Sequence, residues 1–314
     1  MKEFLINKND SGQRVDKFVT KALPDLPKSM MYKLFRKKDI KINGKKCDIS
    51  AVLSEGDIVR VYVKDELSSR TADTGFLMAS DNLEKIYEDG NIIIVFKPVG
   101  VDSHSNSGTH SDTLIDRIKK YLYNKGEYNP HAENSFSPAL CSRLDRNTSG
   151  LVIAAKNAES LREINSAVKN GRIHKIYHCI TVSEPPKKHD IITAYHKKDD
   201  TRNIVRISDE YADGFKEIKT GYKILGENRG LYLVEVTLYT GRTHQIRAHM
   251  AHIGAPILGD GKYGNTALNK RHGVFYQELC ACSLEFDLGE NSKLYYLNKL
   301  KINAPAPKFE KRFN

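Results

Sequence analysis

The chain has 314 residues, with 50 Lys and Arg against 39 Asp and Glu, a net charge of +11, five Cys and no Trp. Hydrophobic residues at 39% suffice for a packed core, but a mean hydropathy of −0.52 and no apolar run longer than Ile92–Phe96 exclude a membrane-spanning helix. The start of the chain lacks the apolar stretch of a secretory leader, and its odd, scattered cysteines do not read as a disulfide framework, so a soluble cytoplasmic protein is expected.

Charge is concentrated at the start. Residues 1–65 hold 15 Lys and Arg against 9 Asp and Glu, net +6, leaving 35 against 30 for the other 249 residues. Such a basic segment suits a polyanion, because each cation that neutralises a phosphate releases counterions; a solvated charged face is the plainer alternative. Gly12-Gln13-Arg14 leads into Val15, Phe18, Val19 and Leu23, a helical spacing that Pro24 closes. A second helix follows Pro27-Lys28, with Ser29 expected as its N-cap. On it Met31, Leu34 and Phe35 form an apolar side, and Lys33, Arg36 and Lys37 a cationic stripe. Ile40 and Ile42 before Asn43-Gly44 predict a hairpin, and Leu53 to Val63 reads as short strands around a Gly56-Asp57 turn. Residues 1–65 are therefore expected to form one small module, 66–82 a linker in which Phe76-Leu77-Met78 provides a pin, and 83–314 a second domain.

In that second part, strand-like runs at Ile92–Phe96, Leu151–Ala155, Ile176–Val182, Leu231–Tyr239 and Leu284 with Phe286 are interrupted by helical patterns at Thr113–Tyr123, Ala158–Lys169 and Thr243–Ile253. Strands and helices do not alternate regularly, so an α+β fold with a mixed, largely antiparallel sheet is expected.

Four segments carry candidate chemistry. Lys97-Pro98-Val99-Gly100, with His104 after it, reads first as a turn. Arg143-Leu144-Asp145-Arg146 precedes turn-forming residues and a buried-type strand. Two arginines beside Asp145 favour a charged nucleophile or electrostatic stabiliser over a proton donor, while a salt-bridged turn cap is the structural alternative. Lys175-Ile176-Tyr177 places Lys175 and Tyr177 on one strand face and His178 on the other; a tyrosine there can stack on a base. In Gly241-Arg242-Thr243-His244-Gln245-Ile246-Arg247, Thr243 is expected to cap a helix closed by Gly254. The small residues in line with Arg247 leave its guanidinium room to reach a carboxylate on another loop. His244, His249 and His252 invite a zinc reading, but no Cys or carboxylate completes a set, so no metal is expected there.

In this order and spacing the segments resemble the RluA family of pseudouridine synthases, whose signature H-R-L-D-R-x-T-S-G is followed by a K-x-Y strand, a G-R-T-H-Q-I-R helix and a G-D-x-x-Y-G turn. Here they read Ser142 to Gly150, Lys175 to Tyr177, Gly241 to Arg247 and Gly259 to Gly264, and the resemblance spans residues 83–310. Ser142 stands where the family has His; that position is not the nucleophile, so activity is expected to persist. The end of the chain, with Leu279-Cys280-Ala281-Cys282, is similar but more diverged. Residues 12–65 resemble the alpha-L RNA-binding module, and Val15-Asp16-Lys17-Phe18 with Pro27-Lys28-Ser29-Met30 look most like the RluC branch.

The resemblance implies isomerisation of uridine to pseudouridine in RNA, most readily large-subunit ribosomal RNA, without cofactor or metal. Asp145 would be the catalytic acid, Tyr177 would stack under the flipped base, and Arg247 would pair with Asp145. Arg143, Arg146, Lys97, His104, Lys175, Arg242 and His244 are expected to contact RNA at the site, and Arg14, Lys28, Lys33, Arg36 and Lys37 through the basic module. The expected protein is a monomer with RNA as partner and no membrane association. A non-catalytic RNA-binding or ribosome-assembly factor, or a metal-dependent nuclease, would be the competing reading of the same basic chain.

Overall fold

The computed structural model describes residues 1–63, 73–105, 112–199 and 201–313, which form two sheets. The first is built from β1 (Lys2–Leu5), β2 (Ile40–Ile42), β3 (Lys45–Lys46) and β4 (Ile58–Val61), in the order β1-β4-β2-β3 and antiparallel throughout. It packs with α1 (Val15–Ala22) and α2 (Lys28–Lys37) around Val15, Phe18, Val19, Leu34, Ile40, Val59 and Val61. The Asn43-Gly44 turn has both residues at positive φ, 50° and 75°, as a two-residue hairpin whose twist matches its strands requires.

Two local expectations fail here. Ser29 does not cap α2: the helix starts at Lys28 after Pro27, whose extended backbone (ψ 138°) already ends the preceding segment, and no side chain accepts from the first turn. Leu53 is not in a strand of the sheet; its backbone instead pairs with Gly12 and Gln13, leaving β4 as the strand of that stretch.

Residues 66–72 of the expected linker lie outside the described residues. Its far end is packed rather than loose: in the 3-10 turn Gly75–Met78, Phe76 is 1% exposed against Tyr128 and the helix α3 (Leu114–Asn124). Burying a phenylalanine contributes roughly 2–3 kcal/mol, so Phe76 is the pin, whereas Met78 faces solvent.

The second sheet contains β5 (Glu84–Glu88), β6 (Ile92–Lys97), β7 (Ala139–Leu140), β8 (Ser149–Ala155), β9 (Ile173–Thr181), β10 (His189–Asp199), β11 (Ile204–Ser208), β12 (Lys216–Asn228), β13 (Leu231–Leu238), β14 (Leu279–Phe286) and β15 (Lys301–Asn303). Its order is β11-β10-β12-β13-β9-β14-β8-β6-β5, with β7 added to β8 and β15 to β14. Among the described pairings only β14 with β8 is parallel, which makes the fold the expected largely antiparallel α+β type.

The apolar runs of β6 and β8 are continuous because both faces are covered. Ile93, Val95, Val152 and Ala154 face a core shared with α3 and α5 (Gln245–His252), and Ile92, Ile94, Leu151 and Ile153 face a second one under α4 (Ala158–Lys169). Gly150 sits at the parallel junction with φ 119°. A Cβ there would lie 2.3 Å from the Ala281 carbonyl oxygen, so no other residue lets β8 and β14 approach.

The two sheets meet through a polar seam. Asp10, fully buried, accepts from Asn134 Nδ2 at 2.7 Å and Ser135 Oγ at 2.6 Å, and Asn9 Oδ1 accepts from the Ala158 backbone N–H at the start of α4. No helix among the described residues is long and apolar enough to cross a membrane.

Candidate active site

Asp145 lies on the loop between β7 and β8, and that loop is tied down on both sides. The Thr148 N–H donates to the Asp145 carbonyl at 3.0 Å, and Gln277 Nε2 donates to Thr148 Oγ1 at 3.1 Å. Ser103 Oγ donates to the Leu144 carbonyl at 2.8 Å and accepts from the Leu144 N–H at 3.2 Å. The carboxylate opens into a cavity of about 960 Å³ whose lining includes His104, Asp145, Lys175, Tyr177, His244 and Arg247.

Arg247 reaches that loop from α5. Its Nη1 donates to Asp145 Oδ2 at 2.7 Å, while Nε and Nη2 grip Asp260 at 2.7 and 2.9 Å. The planar fork of a guanidinium suits this two-sided use, which a lysine could not reproduce. Exposure falls along the chain of charges: the side chain of Asp145 is 27% exposed, Arg247 7% and Asp260 0%. Asp260 also accepts from the backbone N–H groups of Lys262 and Tyr263. Burial pushes its carboxyl upward, but Arg247 and those N–H groups outweigh it and hold it below the usual carboxylate range. Burial likewise pulls Arg247 down, and the two carboxylates more than restore it. Its guanidinium carbon also stands 5.4 Å from the centre of the Tyr263 ring.

His244 enters the same pocket. Its Nε2 is 3.8 Å from Asp145 Oδ2, and Nδ1 hydrogen-bonds the Tyr263 hydroxyl at 2.9 Å. That hydroxyl accepts the Val205 N–H at 2.8 Å, so its own proton is available to Nδ1 and leaves Nε2–H facing Asp145. Burial is the main reason the imidazole drops to about 4 despite the nearby carboxylate, so His244 is neutral at neutral pH. Its backbone is left-handed, φ 52°, which displaces the start of α5. Thr243 therefore does not cap this helix; its carbonyl instead accepts from His196 Nε2 at 2.9 Å, and the Gln245 side chain accepts from the Arg242 N–H.

Tyr177 is 7% exposed and lines the cavity from β9 beside Lys175. Burial first, then the Asp145 charge, raises its hydroxyl above the ordinary tyrosine value, so it stays protonated. Burial lowers Lys175 and His104. Arg143, Arg146 and Arg242 stand at the cavity with their side chains toward solvent, Arg146 also donating to the Gly100 carbonyl at 3.1 Å.

Lys97 requires a correction. It is 0% exposed, and its ammonium donates to the carbonyls of Pro98, Val101 and Arg146 at 3.0, 2.8 and 2.9 Å. With every proton used inside the protein it has none for RNA; it staples the 97–101 turn to the Asp145 loop. Burial drives it down to about 8 against the opposing charges of Asp102 and Asp145. Lys33, Arg36 and Lys37 are exposed along α2 as the expected stripe and Lys28 is exposed at the start of the helix, whereas Arg14 is held bidentately by Asp16 at 3.1 and 3.0 Å. His244, His249 and His252 turn to three different partners, Tyr263, Thr220 and Asp209.

Asp260, Tyr263 and His196 were not singled out by the sequence. The Gly-Asp turn signalled the first two, but only the fold places Asp260 beneath Arg247; nothing in the strand around His196 distinguishes it.

The family described as RNA pseudouridylate synthase matches residues 91–252. A protein of Mycoplasma capricolum named uncharacterized RNA pseudouridine synthase is 34% identical over 97% of this chain and 98% of its own length. The ribosomal large subunit pseudouridine synthase C of Vibrio vulnificus is 29% identical over 96% and 91%, and that of Rickettsia bellii 33% identical over 82% and 84%. Among solved structures, human RNA pseudouridylate synthase domain containing 1 is similar with a TM-score of 0.57 at 20% identity, over 74% of this chain and 86% of that one, a likeness of fold.

Proposed function

Because the chain belongs to the RNA pseudouridylate synthase family, and is thus an enzyme that isomerises uridine in RNA, we propose that its substrate is large-subunit ribosomal RNA and that Asp145, Tyr177 and Arg247 perform the reaction. The ribosomal specificity is supported by the relatives in Vibrio and Rickettsia, which are named ribosomal large subunit pseudouridine synthase C. The observation that carries the site is the Asp145–Arg247 contact at 2.7 Å, at a cavity with room for a nucleotide and anchored from behind by a sealed carboxylate.

The target uridine has to leave its stack to reach Asp145, at a cost of a few kcal/mol. Tyr177 offsets part of this cost as a stacking surface, and the cationic rim of Arg143, Arg146 and Arg242 holds the flanking phosphates. Asp145, kept anionic and aimed by Arg247, acts as the nucleophile: it bonds to the ribose as the bond from ribose to the base nitrogen breaks. The base turns over, and its carbon 5 displaces Asp145 from the ribose, which frees the carboxylate. The nitrogen gains a proton and carbon 5 loses one, so no electrons and no group leave the substrate. Tyr177, which keeps its proton, supplies a hydrogen bond as well as a ring. The α2 stripe of Lys33, Arg36 and Lys37, with Lys28 at the start of that helix, adds sequence-independent affinity. The enzyme works as a monomer in the cytoplasm, where that RNA is.

Asp145→Asn tests the assignment. The variant is expected to bind ribosomal RNA like the wild type and to form no pseudouridine. Formation at the wild-type rate refutes the role of Asp145. Pseudouridine mapping in ribosomal and transfer RNA from cells lacking the protein tests the substrate: sites lost only from transfer RNA would overturn the ribosomal reading.

A further inference from the structure

On the face of β9 opposite Tyr177, a second cluster of reactive side chains has no part in this chemistry. Strand alternation turns His178 away from the cavity. Across the neighbouring strands its register partners are Glu235 of β13 and Cys280 of β14, which places those side chains on the same face. An irregularity between Ala281 and Ser283 brings Cys282 into the same group. Glu310 closes it from the 3-10 turn Lys308–Arg312. His178 Nδ1 lies 2.5 Å from Glu310 Oε1, and donor atoms of His178, Cys282 and Glu310 all fall within 4.8 Å of one another. Among the described residues this is the one such convergence of three His, Cys or carboxylate donors.

From this geometry we propose that His178, Cys282 and Glu310 bind a zinc ion. One imidazole nitrogen, one thiolate and one carboxylate oxygen are the donor types that zinc accepts together, and magnesium or calcium would demand oxygen throughout. Sharing an ion about 2.0–2.3 Å from each takes only small movements: the Nδ1–Oε1 pair, now in direct hydrogen-bond contact, opens to admit it, and donors as much as 4.8 Å apart close in. Nδ1 is the nitrogen turned to Glu310, so Nε2 remains for the carboxylate of Glu235, 3.7 Å away. A carboxylate behind a ligating histidine fixes its tautomer and orientation. All three donors are half-buried, open to an ion arriving from solvent yet fixed by the sheet on two sides. The Cys282 thiol, which donates to the Cys280 carbonyl at 3.5 Å, gives up its proton to solvent when the ion binds. Water fills the fourth position. The ion would tie the C-terminal turn to β9 one residue after Tyr177, a structural role separate from the isomerisation on the other face.

The test uses the full chain, stripped with a chelator and kept reduced, and titrated with cobalt as a spectroscopic stand-in for zinc. One equivalent is expected to give a thiolate-to-cobalt charge-transfer band with visible bands of tetrahedral intensity, and zinc to abolish both by displacement. Cys282→Ser should lose the charge-transfer band, and His178→Gln and Glu310→Gln should weaken binding about tenfold or more. Cys47→Ser, in the first sheet's module, should change nothing. Glu310→Gln sits on the terminal turn and keeps the test decisive if Cys282→Ser does not fold. A spectrum like that of aqueous cobalt, a charge-transfer band that survives Cys282→Ser, or a melting temperature unmoved by equimolar zinc would overturn the proposal. Cobalt binding in a chain that forms no pseudouridine would count against the isomerase assignment and leave the zinc site standing.

Discussion

Replacing Asp260 by Asn removes the charge behind Arg247 without touching any group that meets RNA, since Asp260 is 0% exposed. In the wild type, Oδ2 accepts from Arg247 Nε at 2.7 Å and Oδ1 from Nη2 at 2.9 Å. Asn retains one of those acceptors, and its amide nitrogen then confronts an N–H of the guanidinium. Arg247 is 7% exposed, so this leaves a buried cation with Asp145 as its remaining carboxylate partner. Breaking a buried pair in this way costs about 3–5 kcal/mol, which for a chain of this size lowers the melting temperature by on the order of 10 °C. The chemical step should suffer as well: an Arg247 free to shift by an ångström aims Asp145 poorly, a loss of about 100-fold. Single-turnover release of tritium from carbon 5 of uridine in a ribosomal RNA fragment measures the step, with RNA affinity measured alongside. The expected pattern is a lower melting temperature, a slower step and unchanged affinity. A destabilised variant with wild-type turnover would refute the view that Asp260 positions Arg247, and an unaltered melting temperature would refute the energetic reasoning.

Glu88 is a site of pH-dependent stability. Burial alone would raise its carboxyl, but hydrogen bonds from Lys125, Lys156 and Tyr121 take it from 4.5 to about 2. The folded value is the lower one, so the stabilisation is complete above pH 4.5 and is lost as the pH falls toward 2, on the order of 3 kcal/mol in all. Denaturant titrations of Glu88→Gln should be less stable at pH 7 and flatter across that window; an undiminished acid slope would refute the assignment. Gly150→Ala should fail to fold or lose the β8–β14 junction, because its methyl would sit 2.3 Å from a backbone oxygen; native-like circular dichroism and melting would contradict this. Changing Lys33, Arg36 and Lys37 together to Gln should weaken ribosomal RNA binding and reduce the salt slope by about 0.7–0.9 for each lost phosphate contact, with melting temperature unchanged. A slope equal to wild type would show that α2 does not meet RNA.

What the sequence revealed depended on whether a residue's partner could be inferred from a pattern. Asp145 and Arg247 are 102 positions apart, yet both lie in motifs whose order identifies them. The helices α3, α4 and α5 were legible from apolar positions at the helical period, and the strands β6, β8, β9 and β13 from apolar runs that are unbroken or alternate, whereas the short helix Thr266–Arg271 was not foreseen. β10 and β12 were not: their inward positions alternate, but Ala194 and His196 on one and Ile218, Thr220 and Tyr222 on the other are mostly small or polar residues, so the burial is not spelled in hydrophobic letters.

Lys97 shows a signal that was present and read in the wrong direction. It closes the strand Ile92–Lys97, and alternation puts it on the face of Ile93 and Val95, both of which are fully buried. A lysine on such a face has to satisfy its ammonium within the protein or lose its charge, and the following Pro98 and the open turn to Val101 supply carbonyls at the distance it can reach. The third carbonyl belongs to Arg146, in the loop that carries Asp145. The residue that looked like an RNA contact by charge is thus an internal brace by position. The same logic separates Arg247 from Arg143: both are cations in a signature, but only the one on the buried side of its element has the geometry to hold a carboxylate in place.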